Sequence, residues 1–361
     1  MKILFLATSN INAVGGDTVQ LCANMNMYAQ ENEVHYFSRY KLYHSANIEG
    51  LCENIEMIFP TIEHEINEFS LSISKYIKYA ERIDEEENFD WLYVRGSELI
   101  KEITKGSRLI EKTIVYITDY ETLEEEEYIK IFKKARLIRC QSKQHMNMLI
   151  EKYGVKKDQV FVSPPILEPI PDIYKQSRSY DIAYIGKVHR DWKVDEYLEI
   201  LKLGKYKGAL AYSRFSKYSE DEIVKFEKEL DYLKENCGLL AFKGISREES
   251  LELASRAKIG YAFRSEKIDN ENSFEISSKL LEYCELGVVP VLRRTAIHEE
   301  IFGEEFIGYC EDLEECKEKI ETILNLDDFT LKKIRSKLKE NVKLFYVNAV
   351  YENIKRSLIS I

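Results

Sequence analysis

The sequence has no Cys-x-x-Cys pair, and its six histidines show no metal-ligand spacing. Its seven cysteines, Cys22, Cys52, Cys140, Cys237, Cys284, Cys310 and Cys316, form an odd set scattered over the whole length. That argues against a disulfide framework or a structural zinc site and for a reduced, cytoplasmic compartment. Several of them sit in apolar runs, where a thiol behaves as a small hydrophobe. Proline and glycine are scarce, at 6 and 15 of 361 residues, and no tract is low in complexity. Disordered and collagenous chains are excluded by that composition. No repeat occurs at a solenoid period. The opening apolar run, Lys2–Ala7, gives way to Ser9 and Asn10, so it reads as a first strand, too short for a signal peptide or membrane span. Excess basic charge is lacking too: the formal net charge is -11, which argues against a nucleic-acid partner. Gly-x-Gly-x-x-Gly and Gly-x-Ser-x-Gly are missing, so neither a dinucleotide fingerprint nor a serine nucleophile elbow is present. No Asp-x-Asp stands at a strand end. The chemistry therefore reads as independent of metal and of a bound cofactor.

What remains is a long alternation of short apolar strands and amphipathic helices. Strands are expected at Lys2–Ala7, Glu33–Ser38, Glu56–Phe59, Asp90–Arg95, Thr113–Thr118, Ala135–Cys140 and Gln159–Ser163. Helices fit Asp17–Ala29, Glu68–Glu87 and Lys143–Tyr153. Four of the six prolines then fall between Pro164 and Pro171, which marks a linker and a domain boundary near 165–178. Beyond it the plan recurs, with strands at Asp181–Gly186, Ala209–Ser213, Leu239–Lys243, Ile259–Phe263, Val288–Leu292 and Phe306–Tyr309. The intervening helices are Lys193–Leu203, Ser219–Glu235, Arg247–Arg256, Lys279–Leu286 and Leu313–Leu324. Alternation of this kind means parallel sheets of βαβ units, so two Rossmann-like domains in tandem are expected. The tail from Leu331 to Ser360 is helical by pattern, with Leu338, Val342, Phe345, Val350 and Ile354 as its apolar positions.

The segment from Ser273 to Leu292 carries the most chemistry. A serine-rich loop enters a helix bearing Lys279 and Glu282, Gly287 can end that helix, and a buried strand follows. Unpaired N–H groups and the positive dipole end around Ser277, Ser278, Lys279, Leu280 and Leu281 suit a phosphate. Glu282, one turn in, suits the hydroxyls of a ribose. Phosphate beside ribose means a nucleotide. Earlier, Gly186, Lys187 and Lys193 stand where a strand gives way to a helix, and two cations there can neutralise a leaving diphosphate. The plainer alternative is a pair of solvated lysines. Gly244 and Ile245 follow another strand, where a base can pack, and Ser246 with Glu249 forms a capping box. In the first half, Gly15-Gly16 admits close backbone approach, with Asp17 a candidate N-cap.

Gly186-Lys187 with Lys193, Phe242-Lys-Gly-Ile-Ser-Arg-Glu-Glu, and Glu282-Tyr-Cys-Glu-Leu-Gly-Val-Val-Pro-Val occur in an order and spacing that resembles the GT-B glycosyltransferases. The likeness is to the family 4 retaining type that uses nucleotide-sugar donors. It spans essentially the whole chain and is strongest from Tyr180 to Tyr309. It implies two Rossmann-like domains facing a cleft, with residues 1–168 binding the acceptor and 179–340 the donor. Residues 341–361 would cross back as a helix onto the first domain. The implied reaction is a hexosyl transfer from a nucleoside-diphosphate sugar, UDP-linked by preference, to a glycan, glycolipid or protein. Lys187 and Lys193 would stabilise the leaving diphosphate, and Gly16 would let the first domain approach the sugar. Glu282 would hold the ribose, and Gly244 and Ile245 the base.

Two positions depart from the family pattern. Phe274 stands eight before Glu282, where the family has a glutamate, so Glu275, or Ser277 and Ser278, would face the sugar. Tyr116-Ile-Thr-Asp-Tyr replaces a histidine-bearing segment near the reaction centre, which leaves Thr118 and Asp119 as candidates there. These departures keep two alternatives open, a non-catalytic GT-B subunit partnering another transferase and a nucleotide-sugar epimerase. Lys101, Lys105, Arg108 and Lys112, or Lys133, Lys134 and Arg136, are candidate contacts with the inner face of a membrane. A monomer or homodimer with a role in bacterial polysaccharide biosynthesis is the family-level expectation.

Overall fold

The computed structural model describes every residue except 14, 44, 60–69, 119, 121–122, 169, 171–177 and 360–361. The chain forms two compact units, one of residues 1–166 with 347–361 and one of residues 167–346.

The first unit runs β1 (Lys2–Ala7), α1 (Gly16–Ala29), β2 (Glu33–Phe37), α2 (Ala46–Glu49), β3 (Ile55–Ile58), α3 (Ile73–Glu87) and β4 (Trp91–Arg95). It continues through α4 (Ser97–Gly106), β5 (Thr113–Tyr116), α5 (Glu125–Lys134), β6 (Leu137–Cys140), α6 (Lys143–Tyr153) and β7 (Val160–Val162). The pairings among its named strands are all parallel, in the order β3-β2-β1-β4-β5-β6-β7. The strands are near-continuous apolar runs because helices cover both faces. Phe5, Tyr36, Tyr93 and Phe161 fill one layer, and Leu92, Val94, Tyr128 and Phe132 the other. Arg139 of β6 is the largest fully buried side chain. Its guanidinium carbon lies over Tyr116, 4.3 Å from the ring centroid. It donates to Asn24 Oδ1, Tyr93 Oη and the carbonyls of Ser163 and Pro164, so neutral acceptors satisfy the buried charge.

The second unit contains β8 (Tyr180–His189), α7 (Val194–Lys202), β9 (Gly208–Ser216), α8 (Glu220–Asn236), β10 (Leu240–Lys243), α9 (Arg247–Ser255) and β11 (Ala257–Tyr261). Then come α10 (Ser278–Glu285), β12 (Val289–Arg293), α11 (Ala296–Phe302), β13 (Tyr309–Cys310), α12 (Leu313–Leu324) and α13 (Asp328–Val342). This parallel sheet has the order β10-β9-β8-β11-β12-β13. In each unit the strand order reverses beside the first strand, between β1 and β4 and between β8 and β11. Ligands of such sheets bind beyond the carboxyl ends of the strands at that point.

The helical tail is two helices. A 3-10 turn, Lys343–Phe345, separates α13 from α14 (Val347–Ile359), and Phe345 O accepts from Leu167 N at 2.8 Å. Leu338, Val342 and Phe345 are buried in the core of the second unit, Val350 and Ile354 in that of the first. α14 packs on α1 and β7. Other elements also differ from the sequence pattern. α4, α5 and α11 were not read from it, α3 is described from Ile73, and residues 68–69 lie outside the described residues. The last strand is Tyr309–Cys310 rather than Phe306–Tyr309, because Phe306 stacks on Phe302 of α11 with ring centroids 5.0 Å apart. Asp17 is not an N-cap: Gly15 holds that position, and Asp17 lies in the first turn of α1.

Candidate functional site

The carboxyl edge of the second sheet is built around β8 and the loop that leaves it. The β8–β9 register slips between Gly186 and Val188. Gly186 has φ +128, a conformation in which a side chain is strained, and Lys187 follows. Three hydrogen bonds pin the loop. Tyr184 Oη donates to Lys187 O, Ser265 N donates to Asp191 O at 2.8 Å, and Tyr261 Oη donates to Lys193 O at 3.0 Å. The loop therefore presents Trp192 in a fixed position. Lys187 Nζ lies 4.6 Å from the Trp192 ring centroid and Lys279 Nζ lies 5.2 Å from it. Lys279 is closer still to Tyr184, at 4.0 Å. Two ammonium groups from separate elements thus meet around one indole.

Lys193 is not one of them. It takes the left-handed conformation at the start of α7, φ +51, and its Nζ donates to Glu196 Oε1 at 2.5 Å. The cations gathered at this edge are Lys187 and Lys279, with Arg264 behind them. Arg264 follows β11 and is buried, held by Asp269 through Nε–Oδ2 at 2.9 Å and Nη2–Oδ1 at 2.5 Å. The charges of Asp269 and Glu275 keep it protonated against its burial. Lys279 has less compensation. Burial, with Arg264 adding repulsion, pulls its pKa down to about 7, and Asp269 and Glu282 only partly offset this. Glu275 itself is exposed.

α10 opens without a side-chain cap. Ser277 is its N-cap residue but makes no side-chain cap bond. By contrast, Ser72, Ser142, Ser246, Thr295, Asp312 and Asp327 cap their helices through the side chain. Ser277 O accepts from the N–H groups of Leu280 and Leu281 at 3.1 and 3.3 Å. The Leu280 and Leu281 side chains are buried in the core. The N–H groups of Ser278 and Lys279 remain to be satisfied from outside the helix. Their neighbours are Lys279's own ammonium and the positive end of the dipole, which together attract an anion.

Glu282 stands one turn further along, with its side chain 14% exposed. Arg247, the first residue of α9, donates to Glu282 Oε1 from Nε at 3.1 Å and Nη2 at 2.9 Å. Burial raises the Glu282 pKa and the Arg247 charge opposes that rise. Because both bonds fall on Oε1, Oε2 can accept another donor. The β10–α9 loop carrying Gly244 and Ile245 is tied to Glu282 through Arg247, two residues after Ile245. Gly244 has φ +72 and is exposed, Ile245 packs on the core, and Ser246 and Glu249 form the expected capping box.

In the first unit, Gly15 precedes α1 in an extended conformation, and Gly16 is exposed at the first helical position. Arg95 Nη1 donates to Asp17 O at 2.6 Å. Beside it, Gly96 has φ +115, and a Cβ there would lie 2.4 Å from Thr8 Oγ1. Thr118 is half-buried past β5, and Asp119 lies outside the described residues. Neither Arg247 nor Arg264 was singled out from the sequence. Arg247 stands inside the quoted Phe242–Glu249 stretch, and Arg264 directly follows a buried apolar strand at the switch point. Both positions were readable signals. Among the described residues no three His, Cys, Asp or Glu side chains gather as a metal would need, and no helix is long and apolar enough to cross a membrane.

Solved structures share this architecture over the full chain. Sucrose-phosphate synthase of Thermosynechococcus elongatus matches with a TM-score of 0.74 at 12% identity, covering 100% of both chains. HepE of Anabaena in complex with UDP and glucose gives 0.73 at 13% identity, again over 100% of both. TarM of S. aureus, in complex with fondaparinux, alpha-GlcNAc-glycerol and UDP, gives 0.72 at 9% identity over 99% of both. The fold is GT-B. No protein-family model matches the chain, and no curated protein matches it.

Proposed function

We propose that this GT-B chain is a glycosyltransferase of the retaining, family 4 type that takes a nucleoside-diphosphate sugar, UDP-linked by preference, as its donor. One arrangement carries the reading. The uncapped N-terminus of α10, with Lys279 and Lys187 around Trp192, lies one turn before a carboxylate held by Arg247. A diphosphate suits the open N–H groups and the two ammonium groups, and a ribose hydroxyl suits Glu282 Oε2. The base would lie along Gly244 and Ile245. Binding of UDP by HepE and TarM, which share the fold, supports the choice of nucleotide.

In this reading the protein works by electrostatics. As the sugar–phosphate bond breaks, negative charge grows on the diphosphate, and Lys187, Lys279 and the α10 N-terminus stabilise it most when the charge is greatest. Lys193, already bound to Glu196, reaches the donor only by giving up that partner. No nucleophile is assigned, and the acceptor attacks from the leaving-group side. Glu275, Ser277 and Ser278 are the residues proposed to meet the sugar. A metal-independent reaction in the cytoplasm, on a glycan, lipid-linked or protein acceptor, completes the proposal.

The test is incubation with UDP-, GDP- and dTDP-sugars, with nucleotide release and calorimetric binding as readouts. UDP binding weakened about tenfold or more by Lys187→Met and by Glu282→Gln supports the reading. If no nucleotide binds or is released, the reading fails. Sugar-nucleotide conversion without any acceptor would favour an epimerase instead.

A further inference from the structure

α13 turns one face toward the core and leaves the opposite face bare. Leu331, Leu338 and Val342 are buried, and the helix packs on α10, α11 and β12. On the outer side Phe329, Lys332, Lys333, Lys337, Lys343 and Leu344 are all exposed. At about 100° per residue these positions fall within one stripe along the helix and the turn that follows it. Phe329 is 79% exposed and Leu344 is 72% exposed, more than any other large hydrophobic residue described. They bracket the lysines, one at each end of a helix about 22 Å long.

The charge of this face is unusual for the chain. Net charge overall is -11, yet the stripe presents four lysines against a single carboxylate, Glu340. Among the described residues, Lys332, Lys333 and Lys337 have no carboxylate within ion-pair distance, and only Lys343 is matched, by Glu340 at 2.5 Å. The basic cluster of α4 and the turn after it differs, because each of its cations is neutralised. Lys101 binds Glu127, Lys105 binds Glu102, Arg108 binds Glu85 and Lys112 binds Asp84. That cluster offers little free charge to a membrane. The α13 face offers three unpaired lysines, with an exposed apolar side chain at either end.

We infer that the outer face of α13 lies on an anionic lipid bilayer, with its lysines among the headgroups and Phe329 and Leu344 at the acyl boundary. Lysine-rich polar surface together with apolar anchors is the pattern of an interfacial helix. A nucleic acid would use the lysines but would leave Phe329 and Leu344 in water. The inference does not rest on the donor reading, and either can fail alone.

Sedimentation of the full chain with vesicles tests it, comparing phosphatidylcholine alone with phosphatidylcholine–phosphatidylglycerol mixtures. Binding is expected only with the anionic lipid and declines as salt is raised. Lys332→Gln, Lys333→Gln and Lys337→Gln should cost about fivefold each, about a hundredfold together, and Lys343→Gln less because Glu340 already offsets its charge. Phe329→Ser should weaken binding while leaving the salt dependence unchanged, and Phe329→Trp should add a blue-shifted emission on vesicles. All these positions are exposed, and unchanged circular dichroism confirms folding. Equal sedimentation of the parent and the four-lysine variant, or no binding of the parent to anionic vesicles, overturns the inference. So does binding of duplex DNA as tightly as vesicles with no loss in Phe329→Ser.

Discussion

Lys279→Met isolates the electrostatic cost of the proposed anion site. Methionine keeps most of the apolar stem and removes the ammonium. An ordinary lysine titrates near 10.5, and the folded protein holds Lys279 at about 7, with burial the leading cause. A displacement of this size corresponds to at most roughly 4–5 kcal/mol at full protonation, and solvent screening of the partly accessible side chain lowers that figure. The variant should therefore be more stable than the parent by roughly 2–4 kcal/mol at pH 6. The sign follows from proton counting. Between about 7 and 10.5 the unfolded chain binds a proton at this residue that the folded chain does not. Parent stability gains from this residue as pH rises through that window, with a slope of at most about 1.4 kcal/mol per pH unit. The variant's advantage should shrink accordingly and approach zero near pH 10. Urea unfolding of both proteins from pH 6 to pH 10 measures the difference, and the titrating cysteines and tyrosines cancel because both chains share them. Inorganic phosphate or UDP should stabilise the parent more than the variant, since an anion bound only by the folded state adds stability by mass action. A difference that stays constant across this pH range would refute the argument.

Other residues give separate tests. Asp269→Asn removes the bidentate carboxylate partner of buried Arg264 and should cost about 3–5 kcal/mol in urea or thermal unfolding; a loss below about 1 kcal/mol would show that Glu275 alone suffices. Arg247→Met leaves Glu282 without its two donors, and the part-exposed pair should cost about 1–2 kcal/mol at neutral pH. That cost should shrink as Glu282 protonates at lower pH, so a pH-independent loss would contradict the pairing. Gly96→Ala places a Cβ against Thr8 Oγ1 at a positive φ and should cost about 1–3 kcal/mol. Adding Thr8→Ala should recover the steric part and leave the backbone part; no recovery would rule the contact out.

How much of this was legible in the sequence depended on the range of the interaction. Strand runs such as Lys2–Ala7 announce themselves because every residue faces a covered layer, and periodicity located α7, α8, α9 and α12 within a few residues. The apolar positions of the tail were legible too, since all five are buried. The break at Lys343–Tyr346 was not legible, because it depends on Phe345 meeting Leu167, which local pattern cannot anticipate. α4 and α5 escaped although the local pattern held them. Ser97–Gly106 and Glu125–Lys134 are only ten residues each, yet Leu99, Ile100 and Ile103, and Tyr128, Ile131 and Phe132, recur at helical spacing and were readable.

The site shows the same limit in its chemistry. Spacing alone matched Lys187 with Lys193, because a glycine followed by two lysines at a strand end looks like a single device. Backbone conformation separates them. Lys193 starts α7 in the left-handed region, and its ammonium is bonded to Glu196 three residues on, while Lys187 lies across Trp192. The cation that joins Lys187 is Lys279, 92 residues later, and only the adjacency of β8 and β11 across the switch point brings the two together. Such an arrangement is costly to the folded protein. Arg264 sits behind Lys279 with a full charge, and Lys279's own carboxylate neighbours do not restore its ordinary pKa. If stability alone had shaped this corner, an apolar residue at 279 would serve better. A half-titrated ammonium beside two open N–H groups is favoured only when an anion completes it. The expected signature is an affinity for UDP that falls as pH rises above 7, by as much as tenfold per unit, and that loses this dependence in Lys279→Met. UDP affinity that is flat from pH 6 to pH 9 in the parent would show that Lys279 does not meet the diphosphate.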